Sequence, residues 1–258
     1  MIMKRHVVFI DKPKGLTSFD VVERVGQTLG FQKAGHTGTL DPNVTGLMLI
    51  ALGESRKAMP VLIGLDKEYE GTMLLHKDVE KKDIEKAFKK FTGEIIQLPP
   101  VRSRVARKER KRTVHFLKIK KIDKREVHFV VNCQAGTYIR KLVHDIGEFL
   151  SCGAHMAWLR RTKIGPFDIK QAVELSKVSA KDMVELEKIL KKIDLKSVEA
   201  TDEAIQKIRN GSPLFPEYMT KKADVWDDEV VGIFDKSGNI IALGRASGKK
   251  IKTSRVFN

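Results

Sequence analysis

The chain has 258 residues, 41% of them hydrophobic and 32% charged, and its 49 Lys and Arg against 33 Asp and Glu leave a formal net charge of +16. That length can bury a substantial core and leaves room for a second, smaller unit, while the excess of positive charge suits a polyanionic partner, RNA first among them. Two cysteines, Cys133 and Cys152, are too few for a disulfide framework or a four-ligand zinc site; no apolar stretch reaches membrane-spanning length, residues 1–6 lack a signal-peptide core, and a reducing, cytoplasmic setting with no membrane contact is expected.

Taken in chain order, residues 7–10 read as a strand, and Thr17-x-x-Asp20 reads as a capping box opening a helix whose Val21, Val22, Val25 and Leu29 share one face. Gly35-His36-Thr37-Gly38-Thr39-Leu40-Asp41-Pro42 follows, a short segment with one acidic side chain, ahead of an apolar run, 47–52, that reads as a buried strand. Gly35 and Gly38 open backbone angles closed to other residues, and Pro42 fixes the chain after the carboxylate. Asp41 is thereby the first candidate for a catalytic group, with a turn or helix-capping aspartate as the alternative.

Residues 68–75 read as another strand, followed by a helix near 82–91 with Ile84, Ala87, Phe88 and Phe91 inward. Between 101 and 113, Arg102, Arg104, Arg107, Lys108, Arg110, Lys111 and Arg112 stand against the single Glu109. So many neighbouring cations repel one another unless phosphates lie close, which makes this a candidate RNA-backbone-gripping arm; a solvated basic face is the competing view. Residues 114–122 and 127–133, joined across 123–126, read as a hairpin, and after Arg140 the set Leu142, Val143, Ile146, Phe149 and Leu150 recurs at helical spacing. Hairpins mixed with helices give an α+β class built on a mainly antiparallel mixed sheet flanked by helices. The tail differs: 177–196 is charged and helix-prone, and strands at 230–234 and 240–243 flank a turn at Gly238. A larger unit over 1–190 and a smaller one over 191–258 are expected.

Six sequence motifs stand in order: Asp11-Lys12-Pro13-Lys14-Gly15-Leu16-Thr17-Ser18, the 35–42 segment continuing through Thr45-Gly46-Leu47, Lys67-Glu68-Tyr69, Gln97-Leu98-Pro99-Pro100, Gly136-Thr137-Tyr138-Ile139-Arg140, and the stretch 153–162 ending Leu159-Arg160-Arg161-Thr162. With them, over about 8–167, the chain resembles the TruB and dyskerin-type pseudouridine synthases, which isomerise uridine in RNA. The resemblance implies that Asp41 is the catalytic aspartate and Arg140 its guanidinium partner, favouring the ionised carboxylate. It implies further that Tyr69 stacks on the flipped uracil, that Tyr138 and Leu159 shape the other side of the base site, and that His36 helps hold the local RNA fold open. Lys12 and Lys67 are supporting residues able to tie down loops. The family commonly has a tyrosine where this chain has His115.

The implied reaction breaks the N1 to C1′ bond, rotates the uracil and rejoins it through C5, with no net redox change and no cofactor. Addition of the carboxylate to the sugar, addition to the base, and assistance of proton loss from the sugar stand as alternative openings. Residues 226–246 resemble a PUA domain, a small RNA-binding β-barrel. The short link from 74–76 to the helix near 82, with Arg160-Arg161-Thr162 before Gly165-Pro166-Phe167, is similar to the archaeal and eukaryotic dyskerin type. That type, the favoured one, implies box H/ACA guide RNA, rRNA targets and small partner proteins, with modification of the tRNA T-loop kept open. A non-catalytic RNA scaffold is the alternative from another class; it needs the basic surface but not Asp41, Tyr69 and Arg140 together. No Walker-type or dinucleotide glycine signature occurs, the seven histidines show no zinc-protease spacing, no metal is expected, and a monomer is the default.

Overall fold

The computed structural model describes residues 5–99, 108–221 and 223–257. In chain order the elements are β1 (His6–Lys12), α1 (Ser18–Leu29), β2 (Ala34–His36), β3 (Thr45–Leu52), α2 (Met59–Ile63), β4 (Lys67–Leu75), α3 (Lys81–Lys90), β5 (Gly93–Gln97), β6 (Arg110–Asp123), β7 (Glu126–Cys133), α4 (Ile139–Phe149) and β8 (Ala154–Ile164). Short strands β9 (Phe167–Asp168), β10 (Val173–Glu174) and β11 (Val184–Glu185) lead to α5 (Leu186–Lys192), and the tail holds β12 (Ser197–Ala200), α6 (Asp202–Arg209), β13 (Met219–Lys221), β14 (Val230–Phe234), β15 (Ile240–Ser247) and β16 (Lys250–Val256).

Local chemistry sets the first helix. Thr17 Oγ1 accepts from the Asp20 N–H at 3.1 Å and Asp20 Oδ2 accepts from the Thr17 N–H at 2.7 Å, so the capping box forms as the sequence predicts. The helix stops at Gly30, whose φ of +73° gives the left-handed turn of a C-terminal cap.

The main sheet runs β10-β1-β3-β8-β4-β7-β6-β5, with β11 beside β1, β2 beside β3 and β9 beside β8. Among the described residues of this sheet, only β1 with β10 and β3 with β8 pair in parallel, so the sheet is mixed and mainly antiparallel. β1 and β3 are buried on both faces. Val8, Ile10, Met48, Ile50 and Leu52 enter one core with α1, α3 and α4, whereas Val7, Phe9, Leu47 and Leu49 enter a second core on the opposite face. This is why 47–52 is an unbroken apolar run rather than an alternating one. The second core is closed by Phe167, by Leu186, Ile189 and Leu190 of α5, and by Ile240, Leu243 and Phe257 from the tail.

The tail forms a five-stranded sheet ordered β13-β12-β14-β15-β16, with α6 packed on it through Ala204 and Ile208. Its path is open: among the described residues no ladder joins β13 to β16, so the expected C-terminal barrel is corrected to an open mixed sheet. The boundary expected at 190 falls inside α5, whose apolar side sits in the shared second core. Two further expectations change. The helix-prone stretch 177–196 forms an α-helix only over Leu186–Lys192, with a 3-10 turn at Ala180–Asp182, because Val184 is drawn into pairing with Val7 at the edge of β1. Phe149 ends α4 exposed rather than inward, held edge-on to Phe91. Strands β5, β8 and β16 and helix α6 were not legible; β8 is bulged twice against β4, which breaks the period-two pattern.

Where β3 runs alongside β8, Gly46 faces Arg161 in register with a φ of +112°, and a Cβ there would stand 2.2 Å from the Arg161 carbonyl oxygen. Gly46→Ala should therefore destabilise the protein by at least ~2 kcal/mol, read as a shift in the urea midpoint; a midpoint within error of the unsubstituted chain contradicts this close approach.

Candidate active site

Asp41 follows the short strand β2 in a loop pinned from both sides. Before it, the Ser18 hydroxyl donates to the Leu40 carbonyl at 2.9 Å and accepts from the Leu40 N–H at 2.8 Å. After it, the Pro42 carbonyl accepts from the Gly15 N–H at 2.8 Å and from Lys12 Nζ at 3.1 Å. Lys12 also donates to the Pro13 and Leu16 carbonyls, at 2.9 and 2.6 Å, so this one buried ammonium ties the 13–16 turn to the aspartate loop. Burial pulls the Lys12 pKa down, and Asp20 acts against that shift.

The Asp41 side chain itself reaches solvent and pairs with Arg140 Nη2, a contact across 99 residues of sequence. Arg140 is the second residue of α4, and Tyr138 is that helix's N-cap. Tyr138 offers no side-chain cap; instead its N–H donates to Gln97 Oε1 at 3.0 Å and its carbonyl accepts from Gln97 Nε2 at 3.2 Å.

Beneath the loop lies Arg161, 1% exposed. Its Nε donates to the Leu47 carbonyl at 2.7 Å and its Nη2 to the Gly38 carbonyl at 3.0 Å, and Arg161 lies opposite Tyr69 in the β4–β8 register. Burial raises the Tyr69 hydroxyl pKa, with Arg161 opposing, so the phenol stays protonated at neutral pH. His36 is half-buried; burial first and Arg161 second lower its pKa, and its Nδ1 accepts from the Gly38 N–H at 3.2 Å, leaving Nε2 as the donor of the neutral ring. Lys67 is buried beside this group, its Nζ donating to the Ile63 carbonyl at 2.6 Å and to that of Leu65, and burial followed by repulsion from Arg161 brings its pKa down to about 8.

The sequence-predicted residues are thus distributed in three ways. Asp41 and Arg140 come together at the surface where the aspartate loop meets α4, and Tyr138 is the N-cap two residues before Arg140. His36 and Tyr69 are joined to that loop from below through Gly38 and Arg161. Leu159 is buried in the first core, where the absence of a side chain at Gly71 leaves room for it and the Phe129 ring. Of the basic arm, Arg102, Arg104 and Arg107 lie outside the described residues. Lys108 is exposed, Arg110 opens β6, Lys111 pairs with Glu94 at 3.0 Å, and the Arg112 guanidinium lies against Gly136, two residues before Tyr138. His115 pairs with Asp66 at 2.8 Å. Among the described residues no group of three or more His, Cys, Asp or Glu side chains is placed to hold a metal ion.

Three positioning residues were not assigned roles from the sequence. Ser18 and Gln97 act through contacts with distant segments, which no local pattern reveals. Arg161 stands two residues from the buried Leu159 on the same face of β8, but its position became readable only once that strand was seen.

Comparison with known proteins gives a consistent picture. Residues 27–139 match the N-terminal domain of TruB family pseudouridylate synthase and residues 140–205 the C-terminal domain of tRNA pseudouridylate synthase B. A probable tRNA pseudouridine synthase B of Methanopyrus kandleri is 42% identical over 95% of this chain and 76% of its own length, and one of Nanoarchaeum equitans is 40% identical over 95% and 74%. Among solved structures, a Cbf5-Nop10-Gar1 complex matches with a TM-score of 0.88 at 34% identity, covering 98% of this chain and 85% of that one. An H/ACA RNP bound to a substrate RNA containing 2′-deoxyuridine matches with a TM-score of 0.84 at 32% identity over the same shares.

The depressed pKa of Lys67 has a thermodynamic consequence. In the folded chain it loses its proton near pH 8, in the unfolded chain near 10.5, so the cost of burying the charge is fully present below pH 8 and is relieved as pH rises towards 10.5. Relative to Lys67→Met, the stability of the unsubstituted protein should rise through that window by on the order of 3 kcal/mol. Denaturant titrations of both proteins at several pH values measure this difference, and a flat difference refutes the assignment.

Proposed function

Since the chain belongs to the TruB family of pseudouridylate synthases, we propose that it isomerises uridine to pseudouridine with Asp41 as the initiating carboxylate and Arg140 as the cation that holds it. The observation that carries this reading is the Asp41–Arg140 pair, assembled from a loop and a helix distant in sequence and left open to solvent. A base paired or stacked in RNA cannot reach such a group, so the nucleotide must first be swung out of its strand. The carboxylate then attacks the sugar or base, or removes a sugar proton, and the freed uracil turns and rejoins through C5; the atoms of substrate and product are the same. In this reading Tyr69 stacks on the flipped uracil, Tyr138 and Leu159 shape the other side of the base site, and His36 contacts the RNA at the edge of the loop.

The substrate we propose is structured RNA held by its phosphates along Lys108, Arg110, Lys111 and Arg112. Two sources of that RNA fit: tRNA, as named for the archaeal relatives, and a target paired with a box H/ACA guide, as in the RNP whose fold this chain shares. The likeness to Cbf5 in complex with Nop10 and Gar1 over nearly the whole chain supports small protein partners of that kind. We propose further that residues 1–190 form the catalytic unit and that 191–258 serve as a PUA-like RNA-binding unit, with the open tail sheet as its framework.

The test is tritium release from RNA carrying C5-labelled uridine. Asp41→Asn should lower release by more than about 10³-fold while leaving RNA affinity within about twofold. Equal release from both proteins removes Asp41 from the chemistry. Supplying a tRNA transcript alone, and then guide RNA with a matching target, separates the two substrates.

A further inference from the structure

We infer that Gln97 is a positioning residue for the reaction, acting through the start of α4 to place Arg140 against Asp41. The inference rests on the roles just proposed for that pair. Helix α4 begins without a side-chain cap of its own, because its N-cap is Tyr138 and no hydroxyl or carboxylate there turns back onto the first amides. What fixes its first turn comes from outside the helix. The carboxamide of Gln97, at the last position of β5, accepts from the Tyr138 N–H at 3.0 Å and donates to the Tyr138 carbonyl at 3.2 Å. That carbonyl is the one that also accepts the first α-helical bond, from the Leu142 N–H at 2.9 Å.

A two-point grip on one residue's backbone restrains rotation as well as translation, which a single hydrogen bond does not. Gln97 is 2% exposed, so water does not replace either bond if the carboxamide is removed. Arg140 follows two residues later, one step along the turn that Gln97 holds. Its guanidinium is more than half exposed and gains little rigidity from packing, so its position is set by where the helix starts. Only a side chain that donates and accepts at once can make both bonds. Met fills a similar volume without either, and ionised Glu keeps the acceptor but loses the donor.

The experiment compares Gln97→Met with the unsubstituted full chain in single-turnover tritium release from a tRNA transcript, alongside filter binding of the same transcript. We expect the rate at saturating enzyme to fall about tenfold or more, with the dissociation constant within about twofold. Placed in an Arg140→Ala background, Gln97→Met should change the rate by less than about twofold, since the group it positions is already gone. An unchanged rate for Gln97→Met, or a loss that multiplies in full with that of Arg140→Ala, overturns the inference. Asp41→Asn in the same assay reads the underlying assignment separately, because activity that survives it defeats the carboxylate role whatever Gln97 does. Amide exchange at residues 138–142 tests the clamp without any turnover: faster exchange in Gln97→Met is expected, and unchanged exchange overturns it. Should Gln97→Met fail to fold, Gln97→Glu replaces it. A protonated carboxyl still donates and accepts as the carboxamide does, so the rate of Gln97→Glu should drop with rising pH as that carboxyl ionises, and a pH profile identical to that of the unsubstituted protein counts against the role.

Discussion

One buried guanidinium organises this molecule. Arg161 lies out of water, and a charge in that position costs several kcal/mol unless its donors are met. It meets them by bridging Gly38 of the aspartate loop and Leu47 of β3, opposite Tyr69 of β4. Displacing any of these segments strands a buried charge, so the loop that carries Asp41 inherits the rigidity of the sheet beneath it. The same constraint fixes the chain elsewhere. β3 approaches β8 so closely at this point that only a glycine fits opposite Arg161.

Around that centre the charges divide by depth. Lys12, Lys67 and Arg161 are buried and direct their donors largely to backbone carbonyls, fastening loops. Asp41 and Arg140 sit at the surface, facing each other. Under the proposed role, a carboxylate that acts on a large polymer has to be reachable yet must not wander, and burial of the framework cations with exposure of the Asp41–Arg140 pair satisfies both demands. Of the β6 cations, Arg112 lies against Gly136, in the turn that leads into α4.

The tail is not an independent appendage. Its Ile240, Leu243 and Phe257 close the core on the far side of β1 and β3, while the near side of those strands supports the site. Arg5 reinforces the junction, reaching Glu187 at 3.0 Å and the Ile240 carbonyl at 2.7 Å. The two sheets therefore share one apolar layer, on the face of β1 and β3 opposite the one that receives Leu40 and Val44 of the Asp41 loop.

Much of this was written locally. The capping box at Thr17 and Asp20, the apolar run of β3, the β6–β7 hairpin and the amphipathic α4 depend on interactions a few residues apart, so the sequence by itself determined them, along with the mixed sheet of an α+β fold and the candidacy of Asp41 and Arg140. Periodicity failed where long-range packing chose the outcome: the bulged β8, the helix-prone stretch that became the edge of β1, and the tail sheet that stays open. What only the tertiary structure decided is which groups meet. Burial of Arg161, the Ser18 tether and the Gln97 grip on Tyr138 join segments tens to more than a hundred residues apart, and a hydrogen bond of that kind leaves no periodic trace in either segment, because its free energy depends on a distance that exists only after the chain has folded.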